Sequence, residues 1–300
     1  MTRWLNIAVS LAVVGALIWW AEPEAILEHL QGASIGWLAL AGISLTTLTF
    51  LMAKRWQIVA AALEIEISYP RAVGEYYITQ MVNLMLPGGV VGDISRAVRV
   101  RHEGDLIRAA QSVAADRIAG QVVMFATLGV ALAAALLVPA GIAWSIYSWI
   151  GIVLAGVFII VALILARREN ATGRFVAFIL HLLRDTRLML LNLVIMVILI
   201  FSLYACARAT GTVIPPAGWF TLIPLILSAM LIPLSVGGWG WREGAAAALF
   251  PLIGASPSAG IAMGIAYGAM MMITAIPGLY FAMGATASSA KTSQTHMETL

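Results

Sequence analysis

Apolar residues run along this chain in long blocks, and polar residues fall in short clusters between them. Six blocks, at 4–20, 36–53, 118–138, 147–166, 188–207 and 259–284, are close to the length of a bilayer-crossing helix, which needs about 20 mostly apolar residues. Two further apolar stretches, 72–91 and 219–250, are interrupted by proline and glycine. Irregular backbone is tolerated at membrane depth only where protein buries it or it lines a cavity. The pattern therefore predicts an all-α integral membrane protein with six transmembrane helices and two re-entrant helical hairpins.

Composition agrees. Of 300 residues 62% are hydrophobic and only 10% charged, where a soluble domain carries about 25% charged residues. Trp19 and Trp20 follow the first apolar block where a cleaved leader would need small residues, so the block reads as a retained span with an interfacial aromatic anchor. Cys206 stands alone and excludes an internal disulfide.

Lysine and arginine favour the cytoplasmic side of a membrane. With the N-terminus inside, six spans and two re-entrant stretches put 15 basic residues on the inner side and only Arg208 and Arg242 on the outer. A full crossing by either interrupted stretch would weaken that bias. The expected topology has both termini in the cytoplasm, with the chain in a bacterial inner membrane.

The interrupted stretches also resemble each other. Pro87, Gly92 and Arg96 have the mutual spacing of Pro233, Gly238 and Arg242, at an offset of 146. The same offset carries the first three spans onto the last three, the second of them several residues out of register. The chain thus reads as one membrane domain of two repeats, about 1–140 and 141–290, with a short tail over 286–300. Three crossings per repeat would invert the second, an arrangement found in secondary transporters.

Within "NLMLPGGVVGDISRAVRV", Asn83 to Val100, a half-helix ends near Pro87, and Gly88, Gly89 and Gly92 let the backbone turn. Asp93 is expected to cap the returning helix, which places Arg96 in its first turn. A helix N-terminus beside an arginine attracts anions. Arg242 follows Gly237, Gly238 and Gly240 in the same way, with Glu243 next to it. Each arginine either binds an anion or balances a neighbouring acid. Tyr76, Gln80, Asn83 and Pro87 share one helical face, which either lines a cavity or satisfies nearby backbone. Asp116 and Arg117 are expected at the cytoplasmic mouth of the third span. Gly260, Gly264 and Gly268 form a seam suited to close helix packing.

Nothing calls for a cofactor. The only lysines, Lys54 and Lys291, belong to no phosphate-binding loop. The four histidines lack zinc-ligand spacing, and Ser34 in "GASIG" reads as a helix cap rather than a nucleophile. The chain is therefore not expected to be an enzyme or to bind nucleic acid.

The segments "NLMLPGGVVGDISRAVRV", "AADRIAG" (Ala114–Gly120) and "IPLSVGGWGWREG" (Ile232–Gly244) resemble the flippase-like membrane domain of the lysylphosphatidylglycerol synthases. The resemblance covers nearly the whole chain. It implies lipid movement between leaflets and places Asn83, Pro87, Gly92, Asp93, Arg96, Asp116, Arg117, Gly238, Arg242 and Glu243 at the family's motif positions. The sequence has no hydrophilic stretch that matches a synthase domain, so aminoacylated phosphatidylglycerol is not implied as substrate. The expected partners are membrane lipids with anionic head groups, such as phospholipids or polyprenyl phosphates. The expected function is ATP-independent transport of such a lipid. The alternative is a non-transporting subunit that presents lipid to a membrane enzyme.

Overall fold

A computed structural model describes position 15 and residues 22–86, 89–101, 105–137, 164–231 and 236–283. All of the predicted span at 4–20 but position 15, most of that at 147–166, the tail, and Pro87, Gly88 and Pro233 lie outside the described residues. The described residues are overwhelmingly helical. In chain order come α1 (Pro23–Gln31), α2 (Ile35–Ala61), α3 (Tyr69–Met85), α4 (Val91–Val100) and α5 (Leu106–Leu137). They are followed by α6 (Ala171–Leu182), α7 (Thr186–Ala209), α8 (Pro216–Trp219), α9 (Leu222–Ala229), α10 (Trp241–Leu249) and α11 (Pro257–Ala275).

Among the described residues four helices are long and apolar enough to cross a membrane: Ile35–Ala61, Leu106–Ala135, Thr186–Ala209 and Pro257–Met283. Each coincides with a predicted span, but two are longer than the apolar pattern implied. α2 continues through Lys54 and Arg55 to Ala61, and α5 starts at Leu106, ahead of Asp116 and Arg117. These charges do not end their helices because Arg55 and Asp116 are paired inside the protein, where neither needs water.

Local chemistry sets the starts. Asp105 Oδ1 accepts from Arg108 N at 2.7 Å before α5. Asn170 accepts from Gly173 N before α6, Asp185 from the amides of Arg187 and Leu188 before α7, and Ser256 from Ala259 N before α11. Each satisfies amides that the first turn leaves without partners. Both predicted interruptions are present, one between α3 and α4 and one between α9 and α10. Gly237, Gly238 and Gly240 have φ of 56°, 82° and 87°, a region that side chains disfavour.

The packing repeats along with the element order. α3 lies on α4 as α9 lies on α10; α4 lies on α5 as α10 lies on α11; α2 lies on α3 as α7 lies on α9. Contacts between the halves are reciprocal too. α1 packs on α11 while α6 packs on α5, and α2 meets α11 while α7 meets α5. α2 and α7 run against each other at the centre, and the largest apolar core, including Leu48, Val123, Leu203, Ile226 and Phe250, surrounds them. The glycine seam of α11 receives α10: a Cβ at Gly260 would lie 2.6 Å from the Ala246 carbonyl oxygen.

Candidate functional site: two buried arginine clusters

The first cluster centres on Asp116, which is wholly buried in α5. Its Oδ1 accepts Arg55 Nε at 2.7 Å. Its Oδ2 accepts the Tyr76 hydroxyl and, at 3.4 Å, Arg96 Nη2. Arg55 Nη1 also donates to Asn192 Oδ1 at 3.1 Å, and Asn192 Nδ2 donates to the Leu188 carbonyl at 3.0 Å. One carboxylate thereby joins α2, α3, α4 and α5, with α7 attached through Arg55. A Cβ at Gly120 would lie 2.5 Å from Arg55 Nη1, so the glycine makes room for the guanidinium.

Arg96 occupies the second turn of α4 and is 1% exposed. Its guanidinium carbon lies 4.4 Å from the ring centroids of both Trp56 and Tyr76, close enough for cation–π attraction to each. Trp56 is held by its Nε1 donating to Ser112 Oγ at 3.2 Å. Nη2 of Arg96 carries the contacts to Asp93 (3.2 Å) and Asp116 (3.4 Å). Nε and Nη1 have no hydrogen-bond partner among the described residues.

The interruption itself is tied down by side chains. Asn83 Oδ1 accepts Gly92 N at 2.7 Å, and Asn83 Nδ2 donates to Asp93 Oδ2 at 3.0 Å. Arg117 pairs with Asp93 and donates to the Gly89 carbonyl at 2.8 Å. A Cβ at Gly92 would lie 2.8 Å from Asn83 Oδ1. At the rim Arg99 Nε donates to Glu75 Oε2 at 2.6 Å.

The second cluster is local. Arg242 and Glu243 are wholly buried neighbours at the start of α10. Arg242 Nε donates to Glu243 Oε1 at 3.0 Å, and Nη2 bonds the same oxygen. Glu243 Oε2 accepts Gly240 N at 2.7 Å, so an acid in the first turn reaches back to the cap residue. Arg242 lies 4.9 Å from the Trp239 ring and 5.7 Å from the Tyr267 ring. Its Nη1 has no hydrogen-bond partner among the described residues. Gly264 and Gly268 of the α11 seam accommodate the pair: a Cβ at Gly264 would meet Glu243 Cγ at 3.0 Å, and one at Gly268 would strike Arg242 Nη2. The two interruptions meet. A Cβ at Gly237 would lie 3.2 Å from the Leu84 backbone at the end of α3.

Several sequence expectations change here. Asp93 does not cap α4: it lies in the first turn and binds Arg96, Arg117 and Asn83, while the Gly92 amide uses Asn83. Asp116 does not open its helix but lies wholly buried within α5, and Arg117 is a half-buried clasp on the turn. Both arginines are paired, Arg96 with Asp93 and Asp116 and Arg242 with Glu243, yet each keeps at least one guanidinium nitrogen with no hydrogen-bond partner among the described residues. The polar face of α3 is occupied by protein partners, Tyr76 by Asp116, Gln80 by Thr49, and Asn83 by the turn. Gly89, Gly92, Gly237, Gly238 and Gly240 lie in or beside the turns as expected; Pro87 and Gly88 fall outside the described residues.

Arg55, Trp56, Asn192 and Tyr267 were absent from the sequence-derived site. Arg55 carried a readable signal, since it follows Ala41 and Leu48 at intervals of seven on the buried face of α2, whereas Lys54 does not. Asp116 likewise lies in phase with buried Ser112, Ala119 and Val123.

These features define a helical integral membrane protein whose buried charges are gathered at two interrupted helices. Residues 7–278 match the model of the lysylphosphatidylglycerol synthase TM region, and the chain belongs to that family. No match was found among curated proteins.

Proposed function

We propose that the protein moves an anionic, phosphate-bearing lipid between leaflets without ATP, taking the head group at Arg96 and Arg242 while the acyl chains remain in the bilayer. The observation that carries this reading is the state of Arg96. It is buried beside an interrupted helix, and two of its guanidinium nitrogens, Nε and Nη1, have no hydrogen-bond partner among the described residues. A buried donor left without a partner costs about 1–3 kcal/mol, and an anionic head group is its chemical complement. Charged groups within a membrane domain commonly mark a substrate path.

The accompanying topology has six spans, two re-entrant hairpins and two inverted repeats, with both termini in the cytoplasm of a bacterial inner membrane. Reciprocal packing of the halves supports a two-fold relation, and the meeting of Gly237 with Leu84 supports a shared centre at the two interruptions. In this reading the head group passes between sites of the two repeats as they rock about that centre.

Liposomes containing only the purified protein and a labelled anionic lipid provide the test. Transport predicts leaflet exchange that slows strongly in Arg96→Gln, with the fold intact by thermal melting. Each lost charge-assisted bond weakens head-group binding by about 1.5–3 kcal/mol. Binding without exchange would instead support a lipid-presenting subunit, and neither binding nor exchange across a panel of anionic lipids would refute the lipid reading. Impermeant labelling of single cysteines at 22–34 and 168–186 tests the topology; both reacting from the same side would end it.

A further inference from the structure

The segment over 167–187 lies outside both clusters, and its chemistry is different. α6 is amphipathic. Ile179 and Leu182 are buried with Val59, Ala115 and Leu188, and Phe175, Phe178 and Ile118 pack against them. This apolar face therefore rests on α5 immediately beside Asp116. The opposite face and the flanks carry Arg167, Arg168, Arg174, Arg184 and Arg187, all exposed. None forms an ion pair with a described residue. Arg174 reaches only the Glu169 carbonyl, at 3.4 Å. The segment contains two acids, Glu169 and Asp185, and Asp185 is engaged in starting α7. Five arginines against two acids leave a formal charge of +3.

What lies next to the arginines identifies the surroundings. Beginning three residues after Arg187, α7 exposes Leu190, Val194 and Val197 at 59%, 48% and 57%. They fall on one helical face by spacing, as a lipid-facing stripe does. The arginines thus begin where the apolar stripe stops, which is head-group level for a helix crossing a bilayer. An amphipathic helix with basic residues on its polar side suits that depth.

We propose that α6 and its five arginines form a docking surface for the anionic phospholipid head groups of the bilayer in which the protein sits, enriching them beside the first cluster. The surface is independent of whether transport occurs. Each engaged arginine should favour anionic over zwitterionic lipid by about fivefold.

Ala177 is exposed on the polar side of α6, and the native Cys206 is buried, so a fluorophore on Ala177→Cys reports this surface alone. The labelled full-length protein is placed in phosphatidylcholine vesicles containing some phosphatidylglycerol. A nitroxide quencher near the head group is carried either by the phosphatidylglycerol or by an equal amount of phosphatidylcholine. Quenching by the anionic lipid should exceed that by the zwitterionic one severalfold. The excess should vanish at high salt, where exposed charges are screened, and in the combined Arg167→Gln, Arg168→Gln, Arg174→Gln, Arg184→Gln and Arg187→Gln variant. Equal quenching at low salt, or a preference that survives high salt, would overturn the proposal and leave an acidic protein as the better occupant. The salt arm needs no variant, so poor folding of the combined substitution does not remove the test. Loss of leaflet exchange with the quenching preference intact would refute transport alone.

Discussion

The two interrupted helices use the same ingredients, glycines at a turn followed by a buried arginine, but distribute the counter-charge differently. At α4 the decisive acid is Asp116, on another helix and shared with Arg55 and Tyr76. At α10 it is Glu243, the next residue, and it also completes the helix start. Position 262, which corresponds to Asp116 by the repeat offset, is alanine. The first turn is thus fixed by relations among helices and the second by relations within one. A cross-helix carboxylate makes the position of Arg96 depend on how α2, α4 and α5 are arranged. The position of Arg242 depends mainly on its own turn and on the glycines it faces. Movement of one helix against another would therefore be felt first at Arg96.

This contrast can be broken most forcefully at its centre. Asp116→Asn removes the charge opposite two buried guanidiniums and should cost about 3–5 kcal/mol, read as a large drop in the melting temperature of the purified protein. Adding Arg55→Gln should recover part of that loss, because it removes one stranded cation; strictly additive losses would show that the two residues do not act as a pair. Glu243→Gln should cost less, about 3 kcal/mol at the low end of that range, since Glu243 serves one arginine whereas Asp116 serves two and the Tyr76 hydroxyl. A larger loss there than at Asp116 would overturn the distinction between shared and local acids.

Space provides a finer test. Gly120→Ala and Gly268→Ala each push a methyl group towards a buried guanidinium, Arg55 in one case and Arg242 in the other. Overpacking of this kind costs about 1–3 kcal/mol, and a melting series should place both in that range. The smallest stability effect is expected at Arg117, whose side chain is 35% exposed. Arg117→Gln should lower stability by no more than about 1 kcal/mol, yet loosen the turn it holds through Gly89. Faster hydrogen exchange of the amides around Gly92, with the melting temperature nearly unchanged, would check it; unchanged exchange would show that Asn83 alone holds the turn.

Much of the architecture was legible because apolar blocks and glycine-rich breaks follow directly from the demands of a bilayer. The lengths of α2 and α5 were harder to read. A charge in an apolar run ordinarily marks the water boundary, and Arg55 and Asp116 break that rule only by meeting each other from 61 residues apart. Helical phase pointed each of them inward, but phase alone does not name the partner. The same limit applies to Asn192 and Tyr267, whose roles arise from packing between distant segments. The Arg242–Glu243 pair was readable because its members are adjacent. Asp93 misled for a related reason: its position fitted a cap, but Asn83, on the preceding helix, takes the amide.

The exchanged packing of the two short helices bears on how the chain is assembled. α1 buries Ile26 against Ala247, Ile261 and Ala262, all in the second half, while α6 covers α5 in the first. During synthesis α1 emerges long before its platform exists, so its apolar face waits for most of the chain. Separately expressed halves would each present an uncovered patch and gain their final stability only on meeting. Contacts of such long sequence separation tend to form late. The last described helix, α11, is thus the piece that lets the first described one settle.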